Sequence, residues 1–160
     1  MMTLDQKIVE NSKLIEEVVF DLVKQYTKPL DDIMKLCQTI FQSSDKASNQ
    51  ELEDLLAQLP STLYFTNEGL ETMGIRQDIA EITKKNKYNL ARMEATGTIA
   101  DKNATAEGAI TVETLNEVIY QRTYKIIKNK IEMGQEMINS LKRIFDARMM
   151  DIQIGYGVRK

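Results

Sequence analysis

The chain has 160 residues, a net charge of −3, 42 % hydrophobic and 28 % charged residues, one cysteine and no histidine. That length and balance suit one folded domain with a core, and argue against a disordered chain or a second independent globule. The lone Cys37 excludes an internal disulfide framework, and the lack of histidine excludes Ser-His and Cys-His nucleophiles, His-containing zinc sites and Glu-x-x-His di-iron bundles.

No apolar run reaches the 18 or so residues that a membrane span needs, and Met1 to Glu10 has neither the basic start nor the apolar centre of a signal peptide. The expected compartment is therefore the cytoplasm, with no membrane partner. Charge is unevenly spread. Residues 1–71 hold 6 Lys+Arg against 13 Asp+Glu, whereas residues 72–160 hold 15 against 11. Only the second part is suited to meet a polyanion.

Taken in order, Leu4, Ile8, Ile15, Val18, Val19, Leu22, Val23 and Tyr26 recur at helical spacing. Asp5 suits the positive end of that helix dipole. A break is expected at Thr27-Lys28-Pro29, because proline lacks the amide hydrogen used inside a helix and suits a first turn. A second helix then runs from Leu30 to Gln42, with Asp31 and Asp32 in its first turn. Cys37 sits among Ile33, Met34, Ile40 and Phe41 and reads as core packing.

Ser43 to Asn49 is small and polar, the signature of a loop. Ser48 and Glu51 have capping-box spacing, so a helix carrying Leu52, Leu55, Leu56 and Leu59 should start there and stop at Pro60. From Ser61 to Ala95 a longer helix is expected, with Leu63, Leu70, Ile75, Ile79, Ile82, Leu90 and Met93 inward and a break or kink near Gly69 and Gly74. Gly97 to Gly108 reads as a connecting loop.

The longest pattern runs from Thr111 to Ile152 without a proline. Val112, Leu115, Ile119, Ile126, Met133, Met137, Leu141, Phe145, Met149 and Ile152 form one row, with Ile127, Ile131 and Ile138 beside it. Such a helix spans roughly 60 Å at about 1.5 Å per residue, and its apolar side must be covered by something else. No stretch alternates with period two for long enough to form a sheet. The predicted fold is all-α: residues 61–153 as a long antiparallel hairpin or coiled coil, residues 1–59 as a shorter N-terminal helical region packed on it or on a neighbouring copy, and residues 154–160 as a flexible tail.

Two segments are rich in bases and free of acids. Lys84, Lys85, Lys87, Tyr88 and Arg92 form the first; Tyr120, Arg122, Tyr124, Lys125, Lys128 and Lys130 form the second. If a turn near Asn103 centres an antiparallel pair, residue 84 meets 123 and residue 88 meets 119, so both segments share one level. Gathered cations favour a phosphate backbone, and tyrosines among them offer faces to unstacked bases. Lys142, Arg143 and Arg148 extend the track. The competing reading is a solvated lysine-rich face with half-buried packing tyrosines, or a basic part that neutralises the acidic part of another subunit.

Other constellations are poorer. The acidic pairs Glu16-Glu17 and Asp31-Asp32 are adjacent and do not face one another on a helix, so no metal is expected. The glycines make neither a Walker loop nor a dinucleotide fingerprint, and no cofactor is expected. Met133, Met137, Met149 and Met150 read as core or interface filler.

A helix ending at KYNLARMEATG, a polar connection and a return helix VIYQRTYKIIKNKIEMGQEMINSLKRIFDARM resemble the small helical recombination-mediator proteins of phages, the UvsY-like group, over residues 75–150. The resemblance implies a non-enzymatic homo-oligomer that binds single-stranded DNA and helps a recombinase displace a single-strand-binding protein, in the host cytoplasm. The basic residues above would inherit the DNA role. The departure is Met1 to Leu59, longer and more acidic than that group suggests. The rival expectation is a virion or assembly component whose helices make only protein contacts.

Overall fold

The structure is a computed structural model, and it describes residues 4–43 and 47–157, with side chains described over 12–43 and 47–154. The described residues are all-α, with four helices and no strand: α1 Leu4–Gln42, α2 Asn49–Glu94, α3 Ile99–Ala109 and α4 Thr111–Gly157. The inward positions expected at Leu4 and Ile8, loop residues Ser44 to Lys46, and most of the tail beyond residue 153 lie outside the residues whose side chains are described.

Two prolines expected to end helices lie inside them instead, Pro29 in α1 and Pro60 in α2. Each removes the amide that would serve the carbonyl four residues back, a cost of ~3 kcal/mol in an isolated helix. Tertiary burial offsets it. Leu30 follows Pro29 with no exposed surface, and Leu59 precedes Pro60 in the same state. A fully buried leucine contributes roughly 1.5–3 kcal/mol, so a few of them outweigh one missing hydrogen bond.

The start of α2 is as expected. Ser48 Oγ accepts from the Glu51 amide at 3.2 Å, while Glu51 Oε2 accepts from the Ser48 amide at 2.7 Å. The connection expected at Gly97 to Gly108 is largely helical. Thr98 caps α3 by accepting from the Asp101 amide, and Asp101 Oδ2 accepts from the Thr98 amide at 3.0 Å. Gly97, at φ +107°, turns the chain into that cap, a conformation glycine adopts at no steric cost. A single residue, Ile110, separates α3 from α4.

The chain divides into two compact units, residues 1–24 with 70–126 and residues 25–69 with 127–160. In the second unit, Leu30 and Cys37 of α1, Leu52, Leu55, Leu59 and Leu63 of α2, and Ile138 and Leu141 of α4 form one buried cluster. Ile33, Met34, Leu56, Ile131 and Phe145 pack around it. The inward row of α4 here is Ile127, Gly134, Ile138 and Leu141, whereas Met133 and Met149 of the expected main row are exposed. Gly134 explains the choice. A Cβ there would stand 2.7 Å from Leu63 Cδ2 and 3.4 Å from Leu30 Cδ1, so the helices approach over a missing side chain.

The first unit is built differently. Among its described residues the buried apolar ones are Val19 and Val23 of α1, Leu70, Met73 and Ala80 of α2, and Ala106 of α3. Thr123 of α4 is also fully buried, and its hydroxyl donates to the Ile119 carbonyl at 2.8 Å. Of the inward positions expected on α2, Ile75, Ile79, Ile82, Leu90 and Met93 are 57–81 % exposed. Val112 and Leu115 of α4 are exposed as well. Leu70, Met73 and Ala80 of α2 thus face the neighbouring helices here, while the isoleucines of α2 face out.

Candidate functional site

In the first unit, Lys84 Nζ donates to Glu117 Oε2 at 2.8 Å and Lys87 Nζ donates to Glu113 Oε1 at 2.7 Å. Farther along, a Cβ on Gly74 would lie 3.5 Å from Tyr124 Cε2. Numbers rise on α2 as they fall on α4, and these contacts centre near residue 100 rather than on Asn103. Residue 84 therefore lies against 117 instead of 123.

That displacement changes the electrostatics. Lys84 and Lys87 meet two glutamates that lie just before the acid-free stretch of α4, not the arginine and lysines within it. Glu113 is held below the ordinary 4.5, first by the hydrogen bond from Lys87 and then by its own backbone amide. Its other oxygen, Oε2, is buried without a hydrogen-bond partner. It borders a cavity of about 220 Å³ lined by Arg76, Ile79, Ala80, Thr83, Asn116 and Tyr120.

The tyrosines pack rather than project. Tyr120 lines that cavity, Tyr124 lies over Gly74, and Tyr88 is half-buried. Lys85 and Arg92, seven residues apart on α2, are exposed, as are Arg122 and Lys125 on α4. None of these four has an ion pair or hydrogen bond among the described residues. Arg122 also borders an apolar groove formed by Ile15, Val19, Phe20, Val118 and Ile126.

The remaining expected positions belong to the second unit. Lys130 Nζ reaches Asp31 Oδ2 at 2.6 Å and Thr27 Oγ1 at 3.1 Å, which uses its charge inside the fold. Lys128 lies 4.0 Å from Glu132 on an exposed helix turn, and Lys142 and Arg143 are exposed. Arg148 donates to the Ala47 carbonyl at 2.6 Å and to Asn49 Oδ1 at 3.2 Å, tying α4 to the start of α2.

No family model, curated protein or solved structure matches the chain.

Among the described residues, no group of three or more His, Cys, Asp or Glu side chains is placed to hold a metal ion, and no helix is long and apolar enough to cross a membrane. Cys37 is fully buried, and burial pushes its thiol up from the ordinary 9.0, which leaves it unreactive.

Reading the sequence for bases alone missed Glu113, Glu117 and Asp31, the acids that meet them. One signal for the register was present. Thr98-x-x-Asp101 is a capping motif inside the supposed loop, and a helix there moves the return of the chain.

Proposed function

We propose that this chain acts through protein–protein contacts, as a non-enzymatic helical assembly or adaptor protein. One observation carries the reading. Ile75, Ile79, Ile82, Leu90 and Met93 stand on one helix and are each more than half exposed, with Val112 and Leu115 exposed in the same unit. Single exposed apolar residues are ordinary, but a periodic row of them marks an interaction surface. Apolar association should survive high salt. Size-exclusion chromatography with light scattering, in low and in high salt and without nucleic acid, tests it: a chain that stays monomeric in both sinks the reading.

A second reading has its own support. Lys85, Arg92, Arg122, Lys125, Lys142 and Arg143 remain open to solvent, and the likeness to phage recombination mediators gives them a task on single-stranded DNA, in the host cytoplasm, with a recombinase and a single-strand-binding protein as partners. Contacts to phosphates release counterions, so that binding should fall steeply with salt. Fluorescence anisotropy of a labelled oligonucleotide separates the readings. Binding at low salt that is lost in Lys85→Glu with Lys125→Glu, but kept in Lys13→Glu, favours DNA; no binding at low salt ends that reading.

A further inference from the structure

The exposed row on α2 has heptad spacing. Ile75, Ile79 and Ile82 step by four and three, and the same steps continue through Asn86 and Asn89 to Met93. On a helix this line lies opposite the buried face that carries Leu70, Met73 and Ala80. Along one edge runs a second row at seven-residue spacing, Glu71, Asp78, Lys85 and Arg92, all exposed. None of these four side chains makes an ion pair or hydrogen bond among the described residues.

The order acid, acid, base, base along that edge is its own complement when reversed. We infer that α2 pairs with α2 of a second copy in antiparallel orientation, with Ile79 against Ile82, Glu71 against Arg92 and Asp78 against Lys85, each contact occurring twice about a two-fold axis. This rests on the protein-contact reading and names its occupant. A parallel pair would bring Asn86 to Asn86, a favourable polar match. It would leave Asp78 against Thr83 and Lys85 against Leu90, with only Glu71 and Arg76 paired, so the charges select the antiparallel arrangement.

Recesses flank both edges of the row. The cavity of about 220 Å³ takes in Ile79, Arg76 and Thr83 on one side, and a recess of about 400 Å³ takes in Glu71, Gly74, Ile75 and Asp78 on the other. They are sockets for the side chains of an incoming helix, as knobs-into-holes packing requires. Asn86 opposes Ile75 in this arrangement and confines the dry contact to Ile79 and Ile82 of each copy.

Sedimentation equilibrium of the full chain and four variants tests the pairing, with circular dichroism confirming that each variant keeps its helices. Ile79→Asp should weaken association at least about a hundredfold, by placing a charge in the dry contact. Asp78→Lys and Lys85→Asp each break two symmetry-related pairs and should weaken it about fivefold or more. The double exchange, Asp78→Lys with Lys85→Asp, should restore it. Association that is unchanged in Ile79→Asp, or single reversals that the double exchange does not rescue, overturns the antiparallel contact and leaves a different protein surface in play. A wild-type chain that is monomeric at every concentration overturns both this inference and the reading beneath it.

Discussion

The two units of this chain use the same helices in opposite ways. In the unit of residues 25–69 with 127–160, leucines and isoleucines from three helices close around one cluster, and Gly134 lets the backbones approach. In the unit of residues 1–24 with 70–126, contacts are made by Val19, Val23, Leu70 and Met73 together with Ala80, Ala106, the hydroxyl-bearing Thr123 and cross-helix lysine–glutamate pairs, while three isoleucines of α2 turn to solvent. The first arrangement stores its hydrophobic stabilisation within the chain. The second keeps part of it available for another surface.

That contrast breaks if core truncation costs the same in both. Leu59→Ala should destabilise by about 2–5 kcal/mol in urea unfolding, because a filled site loses both transfer energy and packing. Ile79→Ala should change the monomer by about 0.5 kcal/mol or less. Equal losses would mean that Ile79 is covered in the free chain. Gly134→Ala comes next, at about 1–3 kcal/mol, since Leu63 must give way to the new methyl group. Thr98→Ala should cost ~1 kcal/mol through the lost cap of α3, read as a lower melting temperature.

The smallest effect is on pH dependence. The carboxyls of Glu51 and Asp101 are held below their ordinary 4.5 and 3.8 by hydrogen bonds from Ser48 and Thr98, and Glu113 is held down by Lys87. A depressed carboxylate contributes stability that is complete above its unfolded value and is lost as pH falls through its folded value. With no histidine in the chain, the melting temperature should be flat from about pH 8 to pH 6 and decline below about pH 4.5. A decline already present near pH 6 would contradict these assignments.

Much of the fold was legible from residues alone, and the failures have physical causes. The all-α class, the Ser48–Glu51 cap and the start of α4 at Thr111 followed from spacing and capping chemistry. Pro29 and Pro60 were misread because local propensity says nothing of the buried leucines beside them. On α2 there are two opposite stripes, one of isoleucines and one of Leu70, Met73, Gln77 and Ala80, and periodicity cannot say which is inside. The stripe with Leu70, Met73 and Ala80 is the buried one, and the isoleucine stripe is exposed. The basic segments were visible as composition, but their pairing depended on a turn position that α3 displaces.

Cys37 gives the chain an unplanned convenience. Its thiol is fully enclosed and pushed toward its protonated form, so it should ignore maleimides and nitroxide reagents under native conditions. A cysteine placed on an exposed position of α2 off the pairing rows, at Glu81 for example, would then take up a probe by itself, and distances between labelled copies become measurable without altering the native sulfur.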